Sequence, residues 1–316
     1  MQIAGCRLQI GGSLRVRKAI CCAALVALAV AAGSGQAAGP AFDSNRAWEH
    51  LRQLVSIGPR PAGSSALEQA RKYIRSQLSA SGVDVTEQVW DAQTPVGTVR
   101  MVNLIATIPG QRADRIVVSG HYDTKLFRNA RFVGANDGGS SAAFLLEAAR
   151  VLKARRNPLT MEILFLDGEE AFCENWNDCS RPGAPDNTYG SRHYVATAKQ
   201  RGTLGAIKAN ILIDMVGDRD LRLKRDLNST PWLTEIVWAA ARRLKLDAYF
   251  VSEATEIEDD HIPFIEANVP SVDLIDLEYP AWHTPRDTLD EVSARSLQVV
   301  GDTLLAALPQ IEARLR

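Results

Sequence analysis

The segment Leu164-Phe165-Leu166-Asp167-Gly168-Glu169-Glu170 constrains this chain more than any other. Met161 to Leu166 reads as a buried β-strand, and it runs directly into three acids separated only by a glycine. Acids in that position stand at the carboxyl end of a strand, the edge where open α/β sheets hold their ligands. Neighbouring carboxylates repel one another and are costly to desolvate, so a buried pair needs a cation or a shared proton. A divalent metal answers that need if one glutamate binds it and the other stays free as a general acid/base.

Further donors recur in the same kind of place. The run Ile116 to Gly120 is strand-like and is followed at once by His121-Tyr122-Asp123. Asp137 precedes a helix in Gly134-Ala135-Asn136-Asp137-Gly138-Gly139, and Ile211-Leu212-Ile213 ends in Asp214. His283 lies in a loop after Trp282. One such acid alone is ordinarily a turn or helix cap. Several donors at strand ends can instead converge on one rim, and imidazole nitrogen with carboxylate oxygen suits zinc. His50 and His193 receive no role.

The rest of the pattern predicts an α/β fold. Phe42 to Ile57 and Ser64 to Ser81 have helical spacing, and Val83 to Trp90 with Thr98 to Ile108 alternate like an antiparallel hairpin. Ser140 to Ala154 is a strong helix, another starts at Tyr189, and a third covers Trp232 to Leu244. Ser293 to Leu308 is the last, with Pro309 marking its end. Strands near Ala206 to Ile213, Ala248 to Val251 and Ser271 to Ile275 alternate with these helices. The expectation is a three-layer α/β/α sandwich around a mixed, mostly parallel sheet.

Arg15, Arg17 and Lys18 precede an apolar stretch from about Ala19 to Ala32, and small residues follow to Ala38. This pattern predicts a secretory signal over residues 1–38 and one catalytic domain over 39–316, placing the mature protein in the periplasm or outside the cell. The apolar stretch is shorter than the roughly 20 residues that span a bilayer, so no stable membrane insertion is expected after cleavage. A net charge of −1 with 23% charged residues offers no basic stripe for nucleic acid. Cys6, Cys21 and Cys22 leave with the signal. Cys173 and Cys179 remain, and in an oxidising compartment a disulfide between them is favoured over free thiols or a zinc pair.

Assembled, these residues resemble the M28 family of zinc peptidases, in particular its glutaminyl-peptide cyclotransferase branch. The likeness to that branch rests on Gly120 to Lys125, Glu169-Glu170-Ala171-Phe172, Tyr189 to His193, Asp259-Asp260-His261-Ile262-Pro263-Phe264 and Trp282 before His283. It implies the zinc aminopeptidase-like fold, with one zinc held by Asp137, Glu170 and His283, and Glu169 as the proton shuttle. It implies cyclisation of the N-terminal glutamine of peptides or proteins to pyroglutamate with release of ammonia. Asp214 and Asp260 would then orient the amide and hydrogen-bond Glu169. Trp282 would wall the substrate pocket, with Trp176 as a second candidate in a segment, 173–185, longer than the branch's usual pattern. The alternative is a dinuclear zinc aminopeptidase, in which His121 and Asp214 bind a second ion, Asp137 bridges, and Glu169 activates water.

Overall fold

The computed structural model describes residues 40–316, so the expected signal and its cleavage point lie outside the described residues. Two helices open the described chain: α1 (Ser44–Ile57), capped by the Asp43 carboxylate, and α2 (Ser65–Ala80), capped by Ser64 Oγ. Both caps accept from backbone N–H groups that the first helical turn leaves without partners. The hairpin follows as β1 (Asp84–Thr94) and β2 (Gly97–Ile108), paired antiparallel from Asp84↔Thr107 to Thr94↔Gly97.

The remaining elements are β3 (Arg112–His121), α3 (Gly139–Ala154), β4 (Leu159–Leu166), α4 (Tyr189–Gln200) and β5 (Ile207–Asp214), then β6 (Leu223–Asp226), α5 (Pro231–Arg243), β7 (Phe250–Thr255), α6 (Ile262–Glu266), β8 (Ser271–Ile275) and α7 (Ala294–Arg314). The central sheet has the order β1-β2-β4-β3-β5-β8. Its β4, β3, β5 and β8 strands run parallel, while β1 and β2 are antiparallel additions at one edge.

Side-chain alternation separates the two faces of this sheet. Ile116, Val118, Met161, Ile163, Phe165, Ile211 and Ile213 belong to the large core that α1, α2, α3, α5 and α7 complete. Val117, Leu164, Leu166 and Ile207 turn to the other face and pack on Tyr194 and Val195 of α4 and Phe264 of α6. Each such side chain contributes about 1.5–3 kcal/mol when fully buried. The mixed sheet between two helical layers agrees with the sequence reading.

Two expectations are corrected. The strand expected near Ala248 to Val251 begins at Phe250 and does not join the central sheet; it pairs in parallel with β6, which the sequence reading missed. The last helix does not end at Pro309 but continues to Arg314 with that proline inside it. Beyond the proline, Ile311 is buried and the Glu312 carboxylate holds the Arg155 guanidinium, which offsets the lost backbone hydrogen bond.

Candidate active site and metal centre

The carboxyl ends of the four parallel strands form one rim, and the donors gather there. His121 is the last residue of β3, Asp214 is the last residue of β5, and Glu169 and Glu170 follow β4 after a turn. Gly168 makes that turn with φ +72°, a left-handed conformation in which a side chain would be strained. Gly138, at φ +75°, lets the chain leave Asp137 for α3; a Cβ there would collide with the Asp123 carbonyl and crowd His121. His283 comes from the loop after β8 and is itself left-handed, at φ +51°. A non-glycine residue held there marks a conformation that its surroundings impose.

Asp137, Glu170 and His283 form one donor set. His283 Nε2 lies 3.4 Å from Asp137 Oδ2 and 3.2 Å from Glu170 Oε2. Tetrahedral zinc with ligands at about 2.0–2.1 Å needs donors about 3.3 Å apart. Both Glu170 oxygens and Asp137 Oδ2 are buried without a hydrogen bond among the described residues. Such orphaned carboxylate oxygens are costly unless something else takes up their lone pairs. The set therefore fits a zinc ion.

His121, Asp137 and Asp214 form a second set that shares Asp137. His121 Nε2 is 3.2 Å from Asp137 Oδ1 and 3.1 Å from Asp214 Oδ1. Here the protein supplies its own donors: Asp214 Oδ1 also accepts from Ser141 Oγ at 3.2 Å and from the Met215 N–H at 2.8 Å. Burial acts to lower the His121 pKa, yet Asp214, Glu169, Asp123 and Asp137 together hold it well above its ordinary value.

Glu169 lies between these sets and lines a cavity of about 720 Å³. Burial pushes its carboxyl well above the usual range; His121 opposes this, and Glu170, Asp259 and Asp214 add to it. A carboxyl whose proton affinity is raised in this way is suited to take up and return a proton during a reaction. Trp176 and Trp282 both line the cavity, with Phe127 beside His283. The ring of Trp282 is stacked on His283, with centroids 4.3 Å apart.

Asp260 does not take the position expected of it. Its carboxylate accepts from Ser191 Oγ of α4, away from the cavity, and the neighbouring Asp259 is the one that lines it. Asp259 is buried with one oxygen unpartnered, and burial with Asp214 and Asp260 nearby raises its pKa well above normal. The motif carried the signal for either acid, because the two are adjacent.

Several supporting residues were missed. Asp287, four residues after His283, accepts from the backbone N–H of Asn136 at 2.8 Å and of Asp137 at 3.1 Å, and from Tyr279 Oη at 2.8 Å. Arg60 is fully buried and donates to the carbonyls of Tyr122, Val133 and Gly134, which fixes the loop leading to Asp137. Lys125 Nζ donates to the carbonyls of Ala171 and Cys173, anchoring the start of the Cys173–Cys179 loop. That disulfide is formed, with the Cα atoms 6.0 Å apart.

Comparison with known proteins shows what the chain as a whole resembles. The model of peptidase family M28 matches residues 103–308. A glutaminyl-peptide cyclotransferase of Drosophila melanogaster is 33% identical over 267 residues, spanning 75% of this chain and 73% of its own length. Among solved structures, a glutaminyl cyclase of an Acidobacteriales bacterium superposes with a TM-score of 0.82 at 37% identity, covering 88% of this chain and 98% of that one. A leucine aminopeptidase precursor from Bacteroides thetaiotaomicron also superposes, at a TM-score of 0.77 and 26% identity, over 85% of this chain and 97% of its own. Structures named for both activities thus share this backbone, while the relative compared by sequence is a glutaminyl-peptide cyclotransferase. The chain is an enzyme of peptidase family M28 and belongs to its glutaminyl-peptide cyclotransferase branch.

Proposed function

We propose that the enzyme converts the N-terminal glutamine of peptides or proteins to pyroglutamate with loss of ammonia. The observation that carries this reading is Glu169, buried with a raised pKa beside the Asp137–Glu170–His283 set and inside an apolar-walled cavity. When bound by those three residues, zinc supplies Lewis-acid polarisation of the glutamine side-chain carbonyl. The protein's own residues do the rest. The substrate's α-amine attacks its own side-chain carbon, and Glu169 takes the proton that the amine loses. The same carboxyl then returns that proton to the amide nitrogen, which leaves as ammonia. Asp259 and Asp214 stand close enough to raise the proton affinity of Glu169, which strengthens it as a base. Trp282, stacked on His283, walls the pocket against larger or charged side chains.

One zinc per chain is the expected content. It is supported by the unbonded oxygens of the first set and the hydrogen-bonded Asp214 of the second. A two-zinc aminopeptidase is the second reading, favoured by the close spacing of His121, Asp137 and Asp214. Parallel assays with an N-terminal glutamine peptide and a leucine amide separate the two. Pyroglutamate and ammonia from the first, with no leucine released from the second, is the expected result; leucine release without cyclisation overturns it.

The protein is also proposed to be exported, with residues 1–38 as the signal and 39–316 as the catalytic domain. The basic, apolar and small-residue succession and the Cys173–Cys179 bond support this. Among the described residues no helix is long and apolar enough to cross a membrane.

A further inference from the structure

The mouth of the cavity carries charge that the reaction does not use. Glu174, Glu256 and Glu258 line it, are exposed, and have no lysine, arginine or histidine within ion-pair distance among the described residues. A neighbouring depression shares Ile257, Ile275 and Leu277 with the cavity, but the acid that lines it is answered: Glu278 holds Lys224, which lines the same depression. Among the described residues no lysine or arginine lines the catalytic cavity itself. The three glutamates come from two separate loops, and Asn177 Nδ2 donates to Glu258 Oε2 at 3.4 Å, which brings those loops together. Below them Asp259 lines the same cavity, buried, with an oxygen that has no hydrogen-bond partner among the described residues.

We infer that this mouth selects peptides carrying lysine or arginine at the second or third residue; the inference rests on the cyclase reading for the placement of the N-terminal glutamine. With that residue at the floor, an extended chain rises roughly 3.4 Å per residue toward the mouth. The next side chains therefore meet Glu174, Glu256 and Glu258. A cationic side chain gains up to three partners there, and an acidic one meets like charge with nothing to offset it. Exposed pairs of this kind are each worth a factor of about two to five, and they are screened by salt.

The test uses the zinc-loaded enzyme and three peptides that differ only in residue two: Gln-Lys, Gln-Ala and Gln-Glu. At low ionic strength kcat/KM should fall in that order, by about tenfold from first to last, with the difference carried by KM. Added salt should narrow the spread, and the triple variant Glu174→Gln, Glu256→Gln, Glu258→Gln should bring the Lys-to-Glu ratio close to one. Equal values for the three peptides, or a lysine preference that survives the triple substitution, overturns the inference and leaves the cyclase reading standing. If none of the three is cyclised, the cyclase reading fails instead. Calorimetric binding of the same peptides to the Glu169→Gln variant then decides the role of the mouth, tighter lysine binding supporting it and equal binding overturning it.

Discussion

The two donor sets that meet at Asp137 are built from the same kinds of residue, yet the protein hydrogen-bonds them differently. Around Asp137, Glu170 and His283 three buried carboxylate oxygens have no hydrogen bond among the described residues, and the histidine is held in a left-handed backbone conformation. Around His121, Asp137 and Asp214 a hydroxyl and a backbone N–H already occupy Asp214, and the imidazole is drawn toward its protonated form by four carboxylates. The difference shows that donors equally close in space can differ in how far the protein already hydrogen-bonds them, and the proposed single zinc rests on that contrast.

The largest effect should come from the carboxyl between the two sets. Glu169→Gln is expected to lower kcat by about a thousandfold while zinc content stays as in the wild type. A rate near the wild type would remove Glu169 from the proton transfer. Next, Glu170→Ala should abolish stoichiometric zinc, whereas His121→Ala should leave about one zinc per chain, both read by elemental analysis. Two zincs in the wild type falling to one in His121→Ala would reverse the comparison and favour the dinuclear reading.

A smaller effect is expected at Asp287, which holds the backbone of Asn136 and Asp137. Asp287→Asn should weaken zinc binding about 10- to 100-fold, measured by chelator competition, with the circular dichroism spectrum retained. The smallest per step is a pH slope. Burial lowers the His283 pKa, but Glu170 and Asp137 outweigh it and raise it to about 10 in the metal-free protein. Zinc must displace that proton, so its affinity should climb with pH by up to about tenfold per unit between pH 6 and 9. A flat profile above pH 6.5 would mean that His283 is already neutral.

The strand ends were legible because an apolar run stopped by an acid leaves few alternatives. Glu169, Glu170 and Asp214 were picked out in that way, His121 as the residue that follows such a run, Asp137 as an acid ahead of a helix, and Cys173 and Cys179 by their number and compartment. The choice between Asp259 and Asp260 was not legible, since it depends on Ser191, nearly seventy positions earlier, capturing one of them. Arg60 and Asp287 were hidden for a related reason. They act on backbone groups of a distant loop, and no side-chain pattern announces that. Pro309 misled because local propensity was overridden by Ile311 and the Arg155–Glu312 pair. The β6–β7 pair escaped because β6 has only four residues, Leu223–Asp226, too few for alternation to register.

The covalent loop closed by Cys173 and Cys179 begins three residues after Glu170 and carries Glu174 and Trp176, while every metal donor lies outside it. Recombinant material made in a reducing cytosol should therefore pass a metal analysis and still differ from oxidised material in how it ranks peptides. Preparations of this enzyme are best matched by free-thiol titration before their specificity constants are compared.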